Sequence, residues 1–276
     1  MLEDYINGNK FDEFANSISN STELYKGQNW SNDILEKNAI IMCKTDYLEQ
    51  LFNKLQFSSK KYILITGYSD YLIDYNKFCR KLNCIKKWFG TNIAYKHDDL
   101  ITIPIGIANY TDGTAYYDLY IRYLVNNIEE LRNINKDYET VYCNWRCDEY
   151  RPVSRKFIIP KLIENNFKIV VEENLDWDEY FKRMPNYKFV ISPPGNGPDC
   201  HRTWEILYAN SIPIVIKNYI YEKYNLPILQ VNDYSELTDK LLKTYLQYYE
   251  NHKFSYEQLT MNYWRNLISQ EFLKIK

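Results

Sequence analysis

The sequence lacks any apolar run of the ~18 residues that a membrane-spanning helix needs, and residues 1–30 hold no basic start followed by an apolar segment. The expectation is a soluble, cytoplasmic protein with neither a signal peptide nor a membrane span. Charge of one sign is missing too. The formal net charge is −2, so there is no basic footprint of the kind that nucleic acid requires. The six cysteines are scattered, with no Cys-x-x-Cys pair and no nearby histidine cluster; that spacing argues against a structural zinc site and for reduced, buried thiols. Neither a Gly-x-x-x-x-Gly-Lys-Ser/Thr loop nor a Gly-x-Ser-x-Gly elbow occurs, which sets aside P-loop kinases and serine hydrolases. No metal or organic cofactor is expected.

What is present is an alternation of strand and helix patterns. The length of 276 residues and the 45% hydrophobic content suffice for one large or two smaller domains with cores of their own. Ala39–Cys43, Tyr62–Thr66, Cys84–Phe89 and Leu100–Ile107 read as strands, and Thr45 is placed to cap a helix carrying Leu48, Leu51 and Leu55. Helical spacing runs from Ala115 to Leu131, and the polar linker Asn133–Asp137 then marks a boundary between residues 1–135 and 136–276. Beyond it come strand Thr140–Trp145, helix Ser154–Glu164, strand Phe167–Val171 and helix Trp177–Met184. Such alternation predicts α/β domains with parallel sheets. An amphipathic stretch, Tyr256–Phe272, ends the chain.

The most informative stretch runs from Lys188 to Ile216. Phe189, Val190 and Ile191 form an apolar strand stopped by Pro193 and Pro194, and the loop Gly195-Asn196-Gly197 follows at its carboxyl end. Glycines there let backbone N–H groups approach a ligand, and Asp199 is placed to N-cap a helix whose positive end faces an anion. Arg202 and Glu205, three apart, share a face opposite the stripe of Trp204, Leu207 and Tyr208. This supplies one cation for a diphosphate and one carboxylate for the two hydroxyls of a ribose. The alternative for the pair is a surface ion pair contributing under ~1 kcal/mol. By position, Arg146 and Arg151, after the strand that ends near Trp145, reach toward the same diphosphate, or else are solvated charges beside Asp148 and Glu149.

The segment Pro194-Gly-Asn-Gly, Arg202, Glu205 and Ile212-Pro-Ile-Val215 resembles the carboxyl-terminal signature of exostosin-like glycosyltransferases. It departs at Asn210, where that family carries Gly; Asn tolerates the same left-handed helix end. Trp88-Phe-Gly-x-Asn92, His97 and Ile103-Pro-Ile-Gly106 resemble the amino-terminal half of the same family. The resemblance implies a glycosyltransferase B fold, two Rossmann-like domains facing a cleft, with the terminal helix crossing back to the first. It also implies that a nucleoside-diphosphate sugar, a UDP-sugar, donates to a hydroxyl of a glycan acceptor, without a metal and with inversion. Gly195, Asn196, Gly197, Asp199, His201, Arg202, Glu205, Arg146 and Arg151 would hold the donor.

Inversion needs a base for the acceptor proton. Asp70, just past the strand Tyr62–Thr66, is the first choice and His97 the second; the alternatives are a turn residue and a solvated histidine. Asp176-Trp-Asp178 resembles a metal-binding Asp-x-Asp, yet it directly precedes a helical pattern, where acids cap and favour the dipole. A metal-dependent transferase using Asp176 and Asp178 is therefore one alternative. A non-catalytic nucleotide- or glycan-binding protein on the same fold is another.

Overall fold

The computed structural model describes residues 4–19, 35–108, 123, 126–145, 153–164, 167–173 and 175–276. The chain forms two compact units: Asp4–Asn109 with Glu257–Lys276, and Met1–Glu3 with Tyr110–Tyr256. Each is a layered, Rossmann-like α/β unit on one parallel sheet, of four strands in the first and five in the second. Among the described residues, no helix is long and apolar enough to cross a membrane.

In the first unit, α1 (Gly8–Ser19) precedes β1 (Ala39–Lys44), α2 (Leu48–Leu55), β2 (Tyr62–Gly67), α3 (Tyr75–Phe78), β3 (Ile85–Gly90) and β4 (Leu100–Thr102). The strands pair in chain order. Successive strand residues point to opposite faces, and every residue from Ala39 to Cys43 and from Tyr62 to Gly67 is buried, so both faces are covered. Phe52 of α2 meets Trp88 edge-on, with ring centroids 6.0 Å apart. The C-terminal helix Met261–Leu273 belongs to this unit and packs against β2 and α1. Its first amides donate to Asp4, Met261 to the carbonyl (2.8 Å) and Asn262 to the carboxylate (3.1 Å).

Two local expectations change here. Thr45 opens a 3-10 turn, Thr45–Tyr47, instead of capping α2. The strand expected from Leu100 to Ile107 ends at Thr102, because Pro104 has no N–H for the ladder and Gly106 turns the chain at φ +70. A Cβ on Gly106 would strike the carbonyl of Ile6, which accepts from the Ile107 N–H at 2.9 Å.

The second unit holds β5 (Asp137–Cys143), α4 (Ile158–Glu164), β6 (Ile169–Val171), α5 (Trp177–Arg183), β7 (Tyr187–Ile191), α6 (His201–Tyr208), β8 (Ile212–Ile216), β9 (Leu229–Val231) and α7 (Asp239–Asn251). The sheet order is β6-β5-β7-β8-β9, all parallel. Val141, Phe189, Ile191, Ile212 and Ile214 form its core with Ile158, Leu162 and Leu242 from α4 and α7. At roughly 1.5–3 kcal/mol for each large apolar side chain removed from water, this cluster is the main stabilising term of the unit. The helix expected from Ala115 to Leu131 lies mostly outside the described residues; residues 126–133 are helical.

Candidate functional site

In the second sheet the chain moves from β5 outward to β6, then returns past β5 to β7 and continues the other way. The order reverses between β5 and β7. In open parallel sheets, that reversal leaves a crevice at the carboxyl ends of the two strands, where ligands bind. Two segments border it: Asn144 and Trp145 after β5, and the loop 192–200 leading into α6 after β7. The indole Nε1 of Trp145 is buried without a hydrogen-bond partner among the described residues. Arg146 and Arg151 follow β5 in the chain but lie outside the described residues.

The loop is held by its own polar groups. Ser192 N–H adds a last rung to the Ile214 carbonyl (2.9 Å), and Gly195 N–H donates to the Gly197 carbonyl (3.1 Å) and the Cys200 Sγ (2.9 Å). Burial pushes the Cys200 thiol up to about 11, so it stays neutral and accepts. From the 3-10 segment Val153–Phe157, Arg155 donates through Nε to the Pro194 carbonyl (2.9 Å) and through Nη2 to that of Pro193 (3.3 Å). The Gly195 amide is thus engaged inside the loop, contrary to the expectation that it meets a ligand. Asn196 is exposed, and Gly197 is buried.

Asp199 is not the N-cap of α6. Cys200 holds that position, with φ −122 and no side-chain cap, whereas the Asp199 carboxylate turns into the core and accepts from Trp204 Nε1 at 2.8 Å, with the Tyr221 hydroxyl 3.3 Å away. A buried indole N–H left without an acceptor would cost about 1–3 kcal/mol, and this outweighs a cap contributing about 1 kcal/mol. No acid sits in the first turn of α6. Its opposite end is closed by cations: the buried Lys136 donates to the Ala209 carbonyl (3.0 Å) and Lys188 to that of Asn210 (3.2 Å), which turns the chain at φ +58.

The helix is not two-sided as expected, since every residue from Thr203 to Tyr208 is buried. Glu205 is only 3% exposed, so the surface ion-pair reading fails. Arg202, half-buried, lays its guanidinium carbon 4.6 Å from the centre of the Tyr180 ring, and its Nη1 is buried with no hydrogen-bond partner among the described residues. Burial pushes the Tyr180 phenol up, with the Arg202 cation opposing. His201 is half-buried beside it in sequence. Arg155, Tyr180, Cys200 and Tyr221 were not singled out in the sequence because their contacts are non-local; only the uncertainty over which arginine after β5 matters pointed toward Arg155.

Asp176 caps α5, its carboxylate accepting from Glu179 N–H at 2.9 Å; the Asp178 side chain lies outside the described residues. Among the described residues, no group of three or more His, Cys, Asp or Glu is placed to hold a metal.

In the first unit, Asp70 is exposed and follows the carboxyl end of β2. The turn before it is strained: Tyr68 sits at φ +56, its hydroxyl tied to Asn9 Oδ1 at 2.9 Å. Asn92, also at φ +56, donates through Nδ2 to the Ser69 carbonyl at 3.0 Å. His97 lies elsewhere, in the turn that precedes β4, where its Nδ1 accepts from Asp99 N–H (3.0 Å) and its ring packs on Phe78 at 4.3 Å. The two candidate bases are therefore at opposite ends of the sheet. Comparison with known proteins finds no family model that matches the chain and no curated protein that matches it.

Proposed function

We propose that the protein is a glycosyltransferase of the exostosin-like kind, which moves a sugar from a UDP-sugar to a hydroxyl of a glycan acceptor with inversion and without a metal. The observation that carries the reading is Arg202. It is the second residue of a helix with no side-chain cap that follows the strand at the chain reversal of a parallel sheet, and one guanidinium nitrogen is desolvated with no partner among the described residues. A buried cationic donor in that state is completed by an anion. In this reading Arg202 and the first amides of α6 take the diphosphate, with His201, Arg146 and Arg151 beside them, and Glu205 accepts from the ribose hydroxyls. Asp70 removes the acceptor proton, the freed oxygen bonds to the anomeric carbon, and the bond from that carbon to the diphosphate breaks with its electron pair leaving on UDP. The glycosyltransferase B arrangement, two such units closing on a shared cleft, is part of this proposal.

The test is incubation with a panel of UDP-sugars, with and without oligosaccharide acceptors, reading thermal stability and released UDP. A ligand at 100 times its Kd stabilises by about 2.7 kcal/mol, which is a shift readily seen. UDP release that depends on acceptor supports transfer. Stabilisation without release makes the chain a nucleotide-binding protein, and neither effect from any UDP-sugar ends the proposal.

A further inference from the structure

The described residues of the first unit form a groove of about 430 Å³ that the donor chemistry does not use. It lies against α2 and the segment 71–80, next to Thr45 and Asp46 at the carboxyl end of β1. We propose that this groove is a binding subsite for a neutral sugar residue of a glycan. The proposal rests on the glycosyltransferase reading only in assigning that glycan to the acceptor; the binding itself needs no donor.

Four observations carry it. First, the volume falls within the range of small-molecule sites, about 300–1,000 Å³. Second, the lining is balanced in charge: it holds two carboxylates, Asp46 and Glu49, and two cations, Lys77 and Arg80, with Arg80 bonded to Glu49 and Asp46 3.6 Å from Lys44. A balanced lining gives neither an anion nor a cation a net attraction, whereas a polyol, whose hydroxyls both donate and accept, finds both kinds of partner. Third, the rest of the lining is apolar or planar: Leu48 and Phe52 are buried, and Tyr71 is 57% exposed. A sugar ring presents C–H faces as well as hydroxyls; the Lys77 ammonium lies over one face of the Tyr71 ring, 5.8 Å from its centre, and the other face offers a flat apolar surface with a polar tip. Asn76 adds an amide able to donate and accept.

The fourth is Thr45. It lines the groove, is 3% exposed, and its Oγ1 is buried with no hydrogen-bond partner among the described residues. A hydroxyl buried in that state costs stability, and a turn of the Thr45 side chain toward the groove brings it to a ligand hydroxyl as partner. Position agrees with chemistry. Tyr71 directly follows Asp70, so the groove and the carboxylate assigned the acceptor proton share the loop after β2.

The experiment is a ligand-observed NMR titration of the full chain with glucose, galactose, N-acetylglucosamine, cellobiose and chitobiose, repeated on Tyr71→Ala and Thr45→Val, with UDP titrated separately. At least one saccharide is expected to bind, about tenfold more weakly in Tyr71→Ala, and about 3- to 10-fold more weakly in Thr45→Val, the size of one lost hydrogen bond. Thr45→Val keeps the shape and removes an unpartnered hydroxyl, so its melting temperature in the absence of sugar should hold or rise. A fall there means the hydroxyl has a structural partner and withdraws Thr45 from the site. No saccharide binding to the wild-type chain, binding indifferent to Tyr71→Ala, or displacement of the sugar by inorganic pyrophosphate overturns the proposal. Saccharide binding without any UDP binding keeps this inference and removes the transferase reading; UDP binding without saccharide binding does the reverse.

Discussion

Replacing Arg202 by methionine removes the guanidinium and keeps the apolar stem, so it isolates the proposed anion contact. In the free protein two terms oppose. The cation over Tyr180 contributes about 0.5–2 kcal/mol, while the buried, unpartnered Nη1 costs about 1–3 kcal/mol. These nearly cancel, and the folding free energy of Arg202→Met should lie within about 1 kcal/mol of wild type. Bound diphosphate satisfies that nitrogen through a charge-assisted contact worth about 1.5–3 kcal/mol in all, so the variant should bind UDP roughly 10- to 150-fold more weakly. Arg202→Lys should fall between, because a point ammonium lacks the fork that fits phosphate oxygens. Isothermal titration with UDP measures the affinity, and urea unfolding measures the stability. UDP affinity within twofold of wild type in Arg202→Met refutes the reasoning, as does a stability loss of several kcal/mol, which would make Arg202 a structural residue whose second nitrogen has a partner.

Transfer should be unchanged in EDTA, since Asp176 is committed to capping α5 and the positive potential comes from Arg202 and the α6 amides; activity lost on chelation and restored by Mn²⁺ reverses this. Asp70→Asn should lower turnover by about 10²–10⁴-fold and leave UDP affinity unchanged, because Asp70 belongs to the other unit; near wild-type turnover makes Asp70 a turn residue. Lys161 donates to Asp233 at 2.6 Å and Ser235 N–H at 2.9 Å, which holds the Asp233 carboxyl down to about 2. A carboxyl depressed in the folded state stabilises above its unfolded value, near pH ~4, and that stability is lost as pH falls toward 2. The pair is exposed, so the gap between wild type and Asp233→Asn should be under about 1 kcal/mol at pH 5 and close by pH 2; a gap that persists at pH 2 contradicts the assignment.

Local pattern was enough to read the strand, loop and helix from Tyr187 to Tyr208, because Pro193 and Pro194 stop the strand and Asn210 supplies the left-handed helix end. It also placed the cap of α5 at Asp176. Where the reading failed, a contact set by packing had outweighed a local preference. Asp199 is a good cap by type, yet Tyr221, from the turn after β8, and the indole of Trp204 draw it inward. Gly195 is free by composition, but Cys200 and Gly197 occupy its amide. Arg202 and Glu205, three apart, read as an open polar face toward the loop, with a surface ion pair as the alternative; burial from Thr203 onward removes both the open face and that alternative. His97 lies three residues before Leu100, in a turn on the amino side of β4, a position that chain order already marks as away from the carboxyl ends of the strands.

The two ends of α6 make the remaining argument for an anion. A helix carries about half a positive charge at its start and half a negative charge at its end. At the end, the protein has committed two lysines: Lys188, and Lys136, which donates to the Leu131, Pro185 and Ala209 carbonyls although burial pushes its ammonium down to about 8. Among the described residues the start has no matching anion at the cap: Cys200 is neutral, the first turn holds no acid, and the Asp199 Oδ1 accepts from Trp204 in the core. Arg202 adds a further positive charge on that same first turn, with a nitrogen that has no hydrogen-bond partner among the described residues. Neutralising one end with two cations while stacking a cation on the other is costly in the free protein. In the proposed reading, a diphosphate at the crevice between β5 and β7 supplies the anion that the start lacks.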